Sequence, residues 1–477
     1  MKKAKIQNTS RPFRAGYALS RRSGHRLCRW AAVSLMLTVS LGCAPEADDP
    51  PQWNVVLIVV DTWRADHLRL YGYDRATTPY LDELARKAVI FEEARSDAGC
   101  TFPSANSLLT STYPQLYLKT MKDHGWAIPS GIPTLAEMLK SAGYATSAVS
   151  ASPIVRANPG RQNPDGGFDA GFDEFDDSCE RQPASCVNHI AFDMMDAAEE
   201  PFFLYLHYFE PHDPYQPPEE HERVFATKDY AKSWVADGGL IPLFKMLYKE
   251  GPSVEFTDED LAYALDLYDE EILYFDSQLK ELVERLKSDG TFDRTLMVLA
   301  SDHGEEFMEH DHFFHCKDLY YDTVMKTPLL FWVPGLERSL TIRELAQNLD
   351  IVPTLLDYLQ IDDSAYDLKG KSLRPLIEQT RSIHRYVFGM QRHARTVTDG
   401  RFKLSYNIKS GEVKLYDLDR DPNEQMNIIA RRPALANELT SVLLRWVETV
   451  EGDDVEVAER ARDASEVTER LRALGYL

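Results

Sequence analysis

Positive charge is scarce in this 477-residue chain: 53 lysines and arginines stand against 76 acids, a net charge of −23. Contact with a nucleic-acid backbone needs basic patches, so that class of partner is excluded, and the acidic surface serves chiefly solubility. The same shortage means that an anionic substrate needs positive charge concentrated locally, as a metal ion concentrates it. Internal repeats and low-complexity tracts are lacking, which excludes solenoids and arrays. A membrane-spanning run is lacking as well, because the apolar stretch from Ala31 to Gly42 is too short to cross a bilayer comfortably.

That short stretch reads instead as the core of an export signal. Arg11, Arg14, Arg21, Arg22, Arg26 and Arg29 precede it, and Ser40-Leu41-Gly42-Cys43 ends it ahead of a polar segment. Small residues followed by a cysteine are similar to a bacterial lipoprotein cleavage site, with Ser40 where leucine is expected. We expect lipid attachment at Cys43, with plain secretion as the alternative, and location in the periplasm or cell envelope. Ser20-Arg21-Arg22 gives little support to twin-arginine export. Beyond the leader four cysteines remain: Cys100, Cys179, Cys186 and Cys316. Cys179 and Cys186 are close in a polar loop of an exported protein, and we expect them to pair. Cys100 and Cys316 each adjoin a residue singled out below, which leaves a pair between them open without deriving it.

Apolar, β-branched runs alternate with helical patterns along the remaining chain, which indicates an α/β layer fold. Trp53 to Val60 suits a strand buried on both faces, and it ends in Asp61-Thr62-Trp63-Arg64. Ala145 to Ser150, Pro201 to His207-Tyr208, Leu296 to Ser301 and Pro328 to Gly335 are further strand candidates. Three of these runs lead into polar clusters: Asp61, then His212 on a proline-stiffened loop, then Asp302-His303-Gly304-Glu305 with His315 downstream. Ligands of open α/β sheets sit beyond the carboxyl ends of strands, and carboxylate beside imidazole suits a divalent metal. Thr101, two residues before Pro103, stands at a helix entrance whose free N–H groups attract anions. An ordinary threonine cap is the plain reading of that run alone. A hydroxyl there, beside the strand-end cluster, is a candidate nucleophile toward a sulfate or phosphate ester. Asn158 to Asp177 reads as a surface loop, Pro217 to about Val254 as polar and irregular, and Thr257 to Leu286 as a long helix. From Tyr386 four short alternating runs, with turns at Asp399-Gly400 and Ser410-Gly411, suggest a small antiparallel sheet, followed by two amphipathic helices.

Taken in order, Asn54 through Leu68, Tyr71-Gly72-Tyr73, Thr101-Phe102-Pro103-Ser104, Leu108 through Pro114 and Pro133 through Glu137 form one series of marks. Pro211-His212-Asp213-Pro214-Tyr215, Ser301 through Glu305, Leu415 through Leu418 before Asp421-Pro422, and the ending Leu471 to Leu477 continue it. This series resembles the sulfatase family of the alkaline-phosphatase-like superfamily. The resemblance implies a large, mostly parallel or mixed sheet flanked by helices, with a small C-terminal antiparallel sheet and terminal helices. It gives an expected division into an export signal over 1–43, a linker over 44–52, a catalytic domain over 53–380 and a C-terminal subdomain over 381–477. By position, Asp61, Thr101, Asp302 and His303 would hold one divalent metal, calcium first, with manganese or zinc as alternatives. Thr101 would be the nucleophile, His212 and His315 would serve catalysis and substrate binding, and Arg64 would help bind substrate. The substrate would be a small-molecule, glycan or lipid-headgroup sulfate or phosphate ester, and a membrane would be met only through the lipid anchor.

The chain departs from the family's pattern in several places. Thr101 stands where relatives carry Cys or Ser for conversion to formylglycine, and Ala105 replaces the arginine of the Cys-x-Pro-x-Arg signal. No formylglycine is expected. Thr62 replaces a second aspartate, and Ala148-Val149-Ser150-Ala151 lacks the Lys and His of many relatives. A site so light in cations fits a singly charged group, either a sulfate monoester or a phosphate diester. Three readings follow: a sulfate ester hydrolase; a phosphodiesterase, phosphonate hydrolase or headgroup transferase; and an exported binding protein without turnover.

Overall fold

The computed structural model describes residues 51–114, 127–129, 131–226, 257–316, 318, 320–379 and 382–451. The expected leader, Cys43, the second terminal helix, the ending at Leu477 and residues 227–254 of the irregular segment lie outside them. The strands are β1 (Asn54–Val60), β2 (Val89–Arg95), β3 (Ala145–Ser150), β4 (Glu174–Asp176), β5 (Phe202–Tyr208), β6 (Thr295–Ser301) and β7 (Glu306–Phe307). They continue with β8 (Phe313–Phe314), β9 (Leu329–Trp332), β10 (Leu340–Gln347), β11 (Val387–Gln391), β12 (Ala394–Thr398), β13 (Phe402–Asn407) and β14 (Val413–Asp417). Eight of them form one sheet in the order β10-β2-β9-β6-β1-β5-β3-β4. β9 runs antiparallel to β2 and β6 while the other neighbours are parallel, so the sheet is the mixed one expected.

Why β1 lies at the centre follows from its residues. All seven are buried, and the period of two sends alternate side chains to opposite faces. Val56, Ile58 and Val60 join an apolar cluster with Phe275, Leu279 and Leu282 of the helix Asp258–Ser288. Val55, Leu57 and Val59 join another with Leu108 and Leu109 of the helix Thr101–Thr110 and Val352 and Leu355 of the helix Ile351–Tyr358. Each fully buried aliphatic side chain of this kind contributes about 1.5–3 kcal/mol, so a polar residue here is tolerated only with partners. The long helix begins at Thr257 with a capping box to Asp260.

Three strands of the large sheet have no counterpart in the sequence reading, β2, β4 and β10, and neither does the short ribbon β7-β8. β4 and β10 are the two edges of the sheet, where one side meets water and an apolar run is not required. β2 carries Glu92 and Glu93, which pair with Arg343 and with Arg95 and Lys326. The four-stranded sheet β11-β12-β13-β14 is antiparallel throughout, with Gly400 and Gly411 at positive φ in its turns. It packs its own apolar cluster against the helix Pro433–Glu451. Lys403 of this sheet is buried and meets Asp322 at 2.7 Å and Glu424 at 3.0 Å, which ties it to the main sheet's loops. A disulfide joins Cys179 to Cys186, but not within one loop: Cys179 is fully buried and Cys186 lies in the helix Ala184–Ala197. A second joins Cys100 to Cys316.

Candidate active site

Parallel register sets the floor of the site. Val60 of β1 lies opposite Ser301 of β6 and Tyr208 of β5, so the residues at these three strand ends share one edge. Asp61 and Asp302, each directly after its strand, are therefore neighbours. Asp302 Oδ1 accepts the backbone N–H groups of Thr62 (3.2 Å) and His303 (2.8 Å), and its Oδ2 has no partner. Asp61 Oδ1 is likewise without a partner. Both carboxylates are at most 1% exposed. Thr62 between strand and turn takes φ +54°, a left-handed conformation unfavourable for a β-branched residue and found here beside the site.

His303 Nε2 lies 3.4 Å from Asp302 Oδ2, 3.8 Å from Asp61 Oδ1 and 3.2 Å from Thr101 Oγ1. Its Nδ1, 2.9 Å from the Gly304 carbonyl, donates there, which leaves the Nε2 lone pair facing the carboxylates and the hydroxyl. Burial, with His315 beside it, pushes the ring down to about 3, so it is neutral. Gly304 is required by space, since a Cβ would collide with the Thr323 carbonyl. Thr101 is the first residue of its helix, with Cys100 as the cap, so it is not the ordinary threonine cap. Ala105, one turn on, is packed in the apolar core, and no cation enters the site from that position.

Burial acts on the two carboxylates in opposite balances. Asp302 is raised well above the ordinary range by burial and by Asp61. Burial would raise Asp61 too, but His212, His207 and His303 outweigh it and hold it below that range. His212 and His315 form the more open side, with side chains 15% and 12% exposed. The His212 ring lies 5.0 Å from that of His315, which lies 4.4 Å from that of His303. Burial opposes charge on His212, yet Asp213, Asp61 and Glu305 prevail and raise it. His315 is pushed down to about 4 by burial and His212, and its Nδ1 is 2.9 Å from Glu305 Oε1.

The residues singled out from sequence thus fall into two groups. Asp61, Thr101, Asp302, His303, His212 and His315 gather in one place. Arg64 does not take the expected substrate-binding place: its guanidinium donates to both oxygens of Asp66, to Glu309 and to the Glu305 carbonyl, and the residue is 3% exposed. Two residues were missed. His207 of β5 is fully buried, its Nε2 3.6 Å from Asp61 Oδ2 and otherwise unpartnered, its Nδ1 2.8 Å from the Tyr205 hydroxyl. Glu305, placed by the sequence in the strand-end cluster but given no role there, is the other. The signal for His207 was present: an imidazole inside an apolar strand, one residue from its carboxyl end.

Among the described residues, Asp61, His207 and Asp302 form the group whose ligand atoms all lie within 4.8 Å of one another. Unpartnered, buried oxygens and an aimed imidazole nitrogen are what a divalent ion requires, so these residues fit the metal that the sequence reading implied.

The sulfatase family model matches residues 53–361, and the model for the C-terminal part of N-sulphoglucosamine sulphohydrolase matches residues 309–449. An arylsulfatase of Clostridium perfringens is 24% identical over 441 residues, covering 79% of this chain and 90% of its own. The phosphonate monoester hydrolase of Agrobacterium radiobacter superposes with a TM-score of 0.66 at 21% identity, over 85% of this chain and 96% of its own. A protein solved in complex with its substrate D-glucosamine-2-N,6-O-disulfate superposes with a TM-score of 0.66 at 19% identity, over 84% and 99%. At these identities the superpositions establish the fold, and the family match across most of the chain establishes descent. The chain belongs to the sulfatase family, a family of ester hydrolases.

Proposed function

We propose that the protein hydrolyses a sulfate monoester, with Thr101 Oγ1 as the nucleophile and without conversion of that residue to formylglycine. The observation that carries this reading is the approach of Thr101 Oγ1 to His303 Nε2, beside the unpartnered atoms of Asp61, Asp302 and His207. A divalent cation held by Asp61, His207 and Asp302, with His303 and Thr101 adjoining, would lower the hydroxyl's pKa and neutralise the ester oxygens. Two imidazoles beside two carboxylates favour manganese or zinc over calcium, which prefers an all-oxygen shell. Thr101 presents its oxygen from a fixed helical turn. Attack on sulfur forms the Oγ1–S bond as the S–O bond to the leaving group breaks, the hydroxyl proton ends on the departing alcohol, and water then attacks sulfur to free sulfate and restore the Thr101 hydroxyl. His212 and His315, on the open side, would meet the ester oxygens and the leaving group.

The second reading is a phosphonate or phosphodiester hydrolase on the same machinery. Such groups also carry a single charge, and the fold is shared with a phosphonate monoester hydrolase. A sulfated glycan or small aryl ester is the proposed substrate class. The leader supports export with lipidation at Cys43, and disulfides support an oxidising compartment.

A panel of aryl sulfate, aryl phosphonate and aryl phosphodiester substrates tests both readings in wild type and Thr101→Ala after loading with zinc or manganese. Sulfate turnover lost in the variant is the expected result. Turnover unaffected by Thr101→Ala removes the nucleophile assignment, and a higher kcat/KM on phosphonate or diester moves the function to the second reading. A protein that binds no metal and turns over none of the three favours the third reading, a binding protein without turnover.

A further inference from the structure

We propose that the Cys100–Cys316 disulfide is a positioning element of the active site, fixing Thr101 relative to His315, so that full turnover requires the oxidised protein. The inference rests on the reading of Thr101 and His315 as parts of the reacting site.

Cys100 directly precedes Thr101 and caps its helix, and Cys316 directly follows His315. The bond therefore links two site residues that are 214 positions apart in sequence (315 minus 101) through one residue on each side. The link sets where the segment of His315 stands relative to Thr101. That segment follows β7 and β8, a two-stranded ribbon of two residues per strand that belongs to neither larger sheet. Isolated ribbons of this kind are marginal. Met308, Asp311, Phe314 and Cys316 have φ of +69°, +60°, +69° and +68°. Four non-glycine residues in the left-handed region within nine positions persist only when their surroundings hold them. Those that do so around His315 include the disulfide, the Cys316 N–H donating to the Gly99 carbonyl at 2.8 Å, the contact of His315 Nδ1 with Glu305, its ring contacts with His212 and His303, and the burial of Phe313 and Phe314 in the main apolar cluster. Gly99 is itself held where its N–H donates to Gln391 of the small sheet at 3.1 Å.

Both sulfur-bearing residues are half-buried, within reach of a small reductant, whereas Cys179 is fully buried. Dithiothreitol delivers two electrons and two protons: the Sγ–Sγ bond breaks, two thiols form, and the reagent leaves as its cyclic disulfide. Helix and sheet remain, but the covalent tie between the segments of Thr101 and His315 is gone, and His315 is free to shift against Thr101. A shift of reacting groups by about 1 Å costs on the order of 10²-fold in rate. The bond thereby confines full activity to an oxidising compartment.

The test compares wild type with the Cys100→Ser/Cys316→Ser variant, with and without dithiothreitol, on the aryl ester that wild type turns over. Temperature is kept below unfolding, and circular dichroism monitors the fold. We expect kcat to fall roughly 10- to 100-fold in the reduced wild type and in the variant, with KM within about threefold. Reoxidation restores wild type, and the variant ignores dithiothreitol, which assigns the effect to this bond rather than to Cys179–Cys186. If that variant does not fold, Cys179→Ser/Cys186→Ser, which keeps the Cys100–Cys316 bond, is compared with and without dithiothreitol in its place. Folded, reduced protein with undiminished kcat overturns the proposal, as does a loss confined to KM. Failure of the underlying functional reading looks different: oxidised wild type and Thr101→Ala then behave alike, and this proposal falls with it.

Discussion

Replacing Tyr205 by phenylalanine removes one buried oxygen and leaves the metal-facing side of His207 chemically untouched. The Tyr205 hydroxyl is 2.8 Å from His207 Nδ1, the nitrogen opposite the one that approaches Asp61. A partner on the far nitrogen fixes ring orientation and tautomer, and losing such a partner typically weakens metal affinity about 10- to 100-fold. At a metal concentration 100 times the wild-type Kd, binding stabilises wild type by about 2.7 kcal/mol, and the variant by only about 0.4–1.4 kcal/mol. An unfolding entropy of about 2.1 cal/mol/K per residue makes 1 kcal/mol worth roughly 1 °C in a chain of this length. The metal-induced rise in Tm should therefore shrink from about 3 °C to about 1 °C. The metal-free variant should itself lose about 1–3 kcal/mol through the orphaned nitrogen, a baseline measured separately. Chelator competition gives the two Kd values for zinc and for manganese, and calorimetry of metal-free and loaded protein gives the shifts. Equal Kd and equal Tm rise in variant and wild type would refute the placement of His207 at the metal.

Two further outcomes follow from the same geometry. Arg64→Ala should destabilise the fold by about 2–4 kcal/mol in urea unfolding, because Glu309 and the Glu305 carbonyl lose their partner, while KM of the folded variant stays within about twofold; a tenfold rise in KM at unchanged stability would return Arg64 to substrate binding. Asp276 accepts the N–H groups of Tyr80 and Leu81 at the start of the helix Pro79–Leu84, and burial pushes its carboxyl up to about 7 against those bonds. Its unfolded value is near 4, so the native state holds an extra proton between the two, and the stability it contributes is full below about pH 4 and lost as pH rises through about 7. The unfolding free energy of wild type minus that of Asp276→Asn should fall by on the order of 4 kcal/mol between pH 4 and pH 8; a difference that does not change with pH contradicts the assignment.

Asp61, Asp302 and His303 were legible because a strand buried on both faces must be apolar, so the polar residue that ends it stands out and its position at the sheet edge follows. Thr101 was legible from helix-start chemistry together with the family series. β10 and β4 were not, since an edge strand has one side in water and needs no apolar signature. His207 escaped for the opposite reason: within a buried strand a lone imidazole reads as part of the run until its partners are known.

By itself, then, the amino-acid order determined which segments become buried strands and which polar residues stand at their ends, because apolar burial is a local property that each segment carries with it. The tertiary structure alone decided that His207 turns toward Asp61, that Arg64 is spent on Glu309, and that Cys100 reaches Cys316. Those outcomes depend on the register between strands and on which loops share an edge, and partners brought together across 146 to 245 positions leave no mark in the local pattern of either segment.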